Sequence, residues 1–305
     1  MKRRKENCHP LVFAQKMVDD GTEPFLQDMK ECEKVFLKSA KRLMDDGLIE
    51  DREETKQLAH SAYTCADWLK YKQCYRPSEE LSNDLFSMDD LSFPLDQLKL
   101  PFPTIYIDFR DLELPRMKGG AIPLGTFLTL GNVLYGGLVA SCCSILAIGW
   151  NGNDYVFGGI SFDFYPNHME GSLEETVEKL SADFSDDRVL LKNALLFAAY
   201  LSSSEPDITE NESHRKIYRP SAKPKYSSVR KWDVGMRYMK EKERQTQTEQ
   251  SQSKNTKSRQ SPRPHIRKAH WHLYRVGPGR KETKVLWIAP VTVGVKEDLP
   301  VVVRK

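Results

Sequence analysis

The sequence has no CxxC pair. Its six cysteines, at positions 8, 32, 65, 74, 142 and 143, are scattered along the chain. That spacing argues against a zinc-ribbon or thioredoxin-like centre. Neighbouring Cys142 and Cys143 point to opposite faces of a strand and are poorly placed to bond to each other. The thiols are therefore expected to be reduced and buried, as in a cytoplasmic protein. No P-loop, GxSxG, HExxH or Rossmann glycine pattern occurs, which removes the common nucleotide and hydrolase signatures. There is no internal repeat. The basic start MKRRKENCHP is not followed by an apolar run long enough for a signal peptide, again pointing to the cytoplasm. Hydrophobic residues make up only 39% of the chain and charged residues 29%, so a core with solvated segments attached is expected.

Charge itself is missing in one place and one-sided in another. Residues 121–153 hold no charged side chain, but Pro123, Gly125, Gly131, Gly136, Gly137, Gly149 and Gly152 interrupt them. A membrane-spanning helix would be more uniformly apolar, and buried strands fit better. Residues 214–284 carry 21 Lys and Arg against 5 Asp and Glu, which leaves 25 against 38 in the rest of the chain. Such an arm suits an anionic partner (RNA, DNA or acidic protein) or the chain's own acidic half.

Residues 10–76 read as helical, in three segments with apolar residues three and four apart. Gly47 reads as a stop, and Met29, Met44 and Trp68 as core. Residues 75–103, rich in Pro, Ser and Asp, read as a connector. A strand follows at about 104–109, then two or three more up to 164, with Asn151-Gly152 as a hairpin signal. Ser172 and Glu175 have the spacing of a capping box. The nearly all-apolar helix at 187–202 ends before Pro206. Residues 240–264 have almost no apolar side chain and read as a disordered linker. The tail, RPHIRKAHWHLYRVGPGRKETKVLWIAPVTV, reads as strand, Gly-Pro-Gly turn, strand. The expected architecture is α+β: N-terminal helices, a central mostly antiparallel sheet backed by two helices, and a C-terminal β-hairpin packed on that sheet. The expected divisions are 1–98 helical region, 99–212 central body, 213–262 basic, partly disordered linker, and 263–305 hairpin module.

The tail is dense in functional chemistry, and three readings stay open. His270 and His272 fall on one face of a strand, as two ligands of a metal would, but a third ligand is lacking in this basic stretch. The same histidines beside arginines would suit acid–base cleavage of a phosphodiester, giving a ribonuclease, although no spacing demands it. The favoured reading is binding, with no catalytic residue and no cofactor. Arg263, His265, Arg267, His270, His272, Tyr274 and Arg280 form the binding set, for peptide or RNA. Trp271, Gly277, Gly279, Trp287, Pro290, Pro206 and Asp207 form a structural set. Trp271 and Trp287 are expected to anchor the hairpin, with Trp287→Ala costing about 3–5 kcal/mol if the ring is fully buried. Asp108 and Asp111 near a strand end, and the pairs Gly119-Gly120 and Gly158-Gly159, read as capping and turn residues.

At these residues a resemblance appears. The tail is similar to the C-terminal motif of the second type V-A anti-CRISPR family: an Arg-Pro-His start, a His-Trp-His centre, a glycine turn and a Trp-containing last strand. Ser204-Glu205-Pro206-Asp207-Ile208-Thr209 is a second match, and Tyr106-Ile107-Asp108 a weaker third. The order and rough spacing agree over about two-thirds of the chain, and the N-terminal helices correspond in type only. The resemblance implies a protein of a bacterial mobile element, phage or plasmid. Its implied partner is the N-terminal segment of a type V-A CRISPR nuclease during synthesis, or another nascent chain, close to ribosome or mRNA. Loss of the nuclease message is the implied outcome. The alternative is an RNA-binding protein or ribonuclease of a mobile element without a CRISPR target.

Overall fold

The computed structural model describes residues 10–18, 30–31, 34, 52–135, 138–164, 173–175, 177–178, 188–211, 229–252 and 265–293. The second expected N-terminal helix, Gly47, Met29, Met44 and Ser172 lie almost entirely outside these residues.

Helix α1 (Pro10–Val18) and helix α2 (Arg52–Tyr71) open the described chain. In α2 the buried Thr55, Ala59, Ala62, Cys65 and Trp68 recur every three or four residues, which puts them on one face. The helix stops at Lys72, whose φ of 51° is left-handed and whose amide still donates to the Trp68 carbonyl at 2.7 Å. Strand β1 (Gln73–Pro77) begins at the next residue. This corrects the connector reading of 75–103. That stretch begins inside β1 and continues into helix α3 (Glu79–Phe86), started by the Ser78 hydroxyl accepting from the Leu81 amide at 3.3 Å. Five residues, four of them buried, were too short a run to show a period.

Strands β2 (Thr104–Asp108), β3 (Ile122–Tyr135), β4 (Leu138–Trp150) and β5 (Tyr155–Phe164) follow. The uncharged stretch 121–153 is thus two long strands, and no helix among the described residues is long and apolar enough to cross a membrane. The β4–β5 turn sits where Asn-Gly marked it: Trp150 pairs with Tyr155, and the Asn151 side-chain oxygen accepts from the amides of Asn153 and Asp154. Helix α4 (Arg188–Ser202) buries nearly every residue from Leu190 to Leu201, as its all-round apolar character demanded. Strands β6 (Ile208–Glu210) and β7 (Arg230–Val234) lead into helix α5 (Met236–Gln252). Here the linker expectation is corrected: residues 240–252 continue a helix. Lys, Glu, Gln and Arg are good helix formers, and the amphipathic start at Tyr238 ties the helix to the body, where Tyr238 is 2% exposed.

The sheet order is β5-β4-β3-β2-β1-β7-β6. Strand β1 runs parallel to both β2 and β7, and the other pairs are antiparallel. The sheet therefore draws strands from three of the four expected divisions. Both faces are covered, because alternate residues feed two cores. Cys74, Tyr106, Phe127, Leu146 and Ile148 pack with α1 and α2. Tyr75, Ile105, Ile107, Leu128, Ile145 and Ala147 pack with α3 and α4. Cys65, Cys74 and Cys143 are buried and in no disulfide, and burial pushes the Cys65 and Cys74 thiols far up from their ordinary value.

The tail forms one two-stranded ribbon with a break in its ladder. Strand β8 (His265–Arg267) pairs with β11 (Val291–Val293), and β9 (His270–Val276) with β10 (Glu282–Ile288). Lys268-Ala269 and Ala289-Pro290 interrupt the ladder, Pro290 lacking an amide to donate. The ribbon packs on the helical layer rather than directly on the sheet. Trp271 meets Phe93 edge-on at 5.1 Å, and Trp287 meets Tyr200 of α4 and Tyr238 of α5 at 5.5 and 5.4 Å. The correction follows from the cover: α3 and α4 already occupy that face of the sheet, so the indoles reach the next layer out.

Candidate functional site

The ribbon's register decides which motif residues share a face. Trp271 lies opposite Trp287 and Leu273 opposite Val285. Trp271 and Val285 are buried, while Leu273 is 42% exposed. The inner face thus leaves the body about one pair beyond the tryptophans. On the outer face His270 lies opposite Ile288, His272 opposite Leu286, and Tyr274 opposite Lys284. Alternation along β9 thus puts Trp271 on one face and His270, His272 and Tyr274 on the other.

The two imidazoles are held differently. His270 is half-buried, its Nδ1 3.1 Å from the Lys268 carbonyl oxygen, so the tautomer with Nδ1–H donates there. His272 is exposed and lies nearly parallel to Tyr274, with ring centroids 6.1 Å apart and planes 18° apart. Arg280 lies at the far end, in a turn where Gly277 and Gly279 have φ of 79° and 70°, values that favour glycine. Arg267 is exposed at the other end of the ribbon, opposite Val291. His265 pairs with Val293 through its backbone, and Arg263 lies outside the described residues. The binding set is therefore strung along the ribbon rather than gathered at one point. Among the described residues no group of three or more His, Cys, Asp or Glu is placed to hold a metal ion.

At the ribbon's base is a cleft of about 590 Å³, lined by Asp84, Ser87, Met88, Asp89, Asp90, Lys268, Ala269, His270 and Pro290. One wall is the end of α3 and the loop after it; the other is the break between β8 and β9. Asp84 binds Tyr238 Oη and Lys242. Asp89 accepts from Lys268 at 2.9 Å across the mouth. That contact holds the Asp89 carboxyl below its usual range and raises the Lys268 ammonium. Burial works to raise Asp90, but hydrogen bonds from Ser92 and the Trp271 amide, with His270 nearby, outweigh it and hold Asp90 below the ordinary value. The result is a cleft with carboxylates at its rim and Met88, Ala269 and Pro290 as apolar surface. Of its lining, the sequence reading named only His270 and Pro290. The Asp89-Asp90 pair was visible in the sequence, but nothing local shows that it meets a tail nearly 180 residues away.

Asp207 of the structural set has a clear role. It is 1% exposed and accepts from the Arg237 and Tyr238 amides at 2.6 and 3.0 Å, and from Arg237 Nε at 2.7 Å. It therefore caps the start of α5 from a distant part of the chain. Pro206 sets the turn that delivers it, and the amide of the neighbouring Ser204 reaches the Val285 carbonyl of the ribbon at 2.8 Å. Trp287 is only partly buried, its Nε1 3.1 Å from Met88 Sδ. Trp287→Ala is accordingly expected to cost about 2 kcal/mol, less than full burial implied. Thermal melting checks this, and an unchanged Tm would mean that the ribbon is not docked through that ring.

Asp108 and Asp111 are partners in a separate polar cluster. Arg110 holds Asp108 through two hydrogen bonds, and Arg76 holds Asp233, with Asp111 3.9 Å away. This is an arrangement of paired charges at the ends of β1, β2 and β7, in keeping with a structural role.

Comparison with known proteins bears on the same region. A family described as AcrVA2-like, the anti-CRISPR type V subtype A2 family, matches residues 75–295. The matched span starts in β1 and takes in the rest of the sheet, the cleft and the ribbon. No curated protein matches the chain. Among solved structures, the crystal structure of AcrVA2 is similar with a TM-score of 0.56 and 19% identity, over 93% of this chain and 97% of that one. At that identity the likeness is one of fold.

Proposed function

Since the chain belongs to the anti-CRISPR type V subtype A2 family, we propose that it acts against a type V-A CRISPR nuclease by binding the nuclease's N-terminal segment during synthesis, with loss of the encoding message as the outcome. The observation that carries this reading is the cleft between α3 and the motif ribbon. Its volume of about 590 Å³ is enough for a few residues of peptide. Carboxylates at the rim would meet a peptide amine or a lysine, and Met88, Ala269 and Pro290 would meet an apolar side chain. His270, part of the His-Trp-His motif, stands in the wall and supplies a further polar contact. In this reading the tail motif serves two ends: its tryptophans dock the ribbon, and its docked base completes the cleft.

The test follows the nuclease message in cells with and without this protein. One version of the gene is recoded to keep the protein sequence, and another is frameshifted to change the N-terminal peptide. The recoded message is expected to fall and the frameshifted one to persist. Persistence of both overturns the proposal, and loss of both makes RNA rather than peptide the signal. A purified N-terminal peptide should also bind the full chain, and His270→Ala with Asp90→Ala should weaken it about tenfold or more, each lost polar contact being worth about 1 kcal/mol.

A further inference from the structure

The distal half of the ribbon is not used by the cleft or by docking. Between His270 and Lys284 the sequence carries four cations, Arg275, Arg280, Lys281 and Lys284, against one carboxylate, Glu282. All four cations are exposed. Among the described residues none of their side chains is in an ion pair, although elsewhere in the molecule Arg76, Arg110, Arg237, Lys242 and Lys268 all are. Other cations of the basic arm, Arg237, Lys242 and Lys268, do pair with acids of the body, so the four distal ones are set apart.

Beside these cations lie two exposed or half-exposed rings. His272 and Tyr274 are on one face, nearly parallel, with Lys284 directly across from Tyr274. Such rings offer a π-face on which a base can stack. Unpaired cations on the same stretch of ribbon suit phosphates spaced along a strand whose bases lie on the rings. An acidic peptide would use the cations but does not carry a planar ring at every residue to set against these rings. A duplex would offer phosphates but keeps its bases stacked away from them. We infer that the outer face of the distal ribbon binds single-stranded nucleic acid, with Tyr274 and His272 as the stacking surface and Arg280, Lys281 and Lys284 as phosphate contacts. This surface is separate from the cleft, and it stands or falls independently of peptide recognition.

The experiment measures fluorescence anisotropy of labelled oligonucleotides of about ten nucleotides, as RNA and as DNA of the same sequence, with the full chain over a series of salt concentrations. Binding is expected to weaken with salt, by a slope of about 0.7 per phosphate neutralised. Arg280→Gln with Lys284→Gln should lower that slope by about 1.4. Tyr274→Ala should weaken binding about tenfold, whereas Tyr274→Phe, which keeps the ring, should stay within about twofold. Equal affinity for RNA and DNA supports stacking and phosphate contact alone, and preference for either identifies the natural strand. Three results overturn the inference: no salt-dependent binding, an unchanged affinity for Tyr274→Ala, or tighter binding of a duplex or of polyglutamate than of the single strand.

Discussion

Replacing Asp207 by Ala is expected to lower stability by about 3–5 kcal/mol and Tm by roughly 10 °C. Its carboxylate is buried and accepts two backbone amides at the start of α5 together with the Arg237 guanidinium. Removing it leaves two amide donors at a helix N-terminus with no acceptor, in a place closed to water. The loss also spreads. The Asp207 carbonyl accepts from the Gly235 amide at 2.8 Å, and its own amide donates to Tyr200 Oη at 3.1 Å. Tyr200 and Tyr238 in turn flank Trp287, so the ribbon should loosen with α5. Asp207→Asn keeps one acceptor oxygen and should cost less than Ala. Thermal melting of both variants, with hydrogen exchange of the α5 amides, checks the order. A Tm within about 2 °C of the parent for the Ala variant would mean that α5 starts without this cap.

Gly125→Ala is expected to cost about 3 kcal/mol or more, through contact rather than through charge. A Cβ at position 125 would overlap Tyr106 Oη and the Ile107 carbonyl oxygen. Gly125 lies at the β3 bulge, where the register with β4 shifts between Pro123 and Gly125, and it pairs with Asp108 of β2. Neither obstacle yields easily. The carbonyl belongs to a central strand, and the Tyr106 ring is fully buried against Trp68 and Phe127. The expected readout is poor soluble yield or a Tm lower by several degrees. The paired change Gly125→Ala with Tyr106→Phe should recover only part, because the Ile107 carbonyl remains. Full recovery would mean that the ring alone sets the limit.

The two variants differ in how readable their residues were. Asp207 stood out as part of Ser-Glu-Pro-Asp-Ile-Thr, yet the motif said only that something recurs there. The helix it caps begins 29 residues later, in a stretch read as linker. Gly125 looked like one of several glycines interrupting an apolar run. That it is a point of close approach depends on which side chain lies opposite, and that is a property of strand register. Strand β1 was missed for a related reason. A short strand parallel to both neighbours is buried on both faces, so it shows no alternation, and its Arg and Pro resemble loop composition.

What the sequence alone determined was whatever rests on local period and composition. The apolar spacing of α2 and α4, the alternation of β2 and β9, the Asn-Gly and Gly-Pro-Gly turns and the division of the tail into an indole face and an imidazole face all follow from the geometry of one helix or one strand. The order of the tail motif also pointed to the family, which the match over residues 75–295 shows. Only the tertiary structure decided the rest. It set α5 against the body through Asp207, put the ribbon on the helical layer, and closed a cleft between Asp84–Asp90 and Lys268–His270. These depend on contacts between residues far apart in the chain. Such contacts form because burying two apolar faces together is favourable, and that energy leaves no period in either segment to be read beforehand.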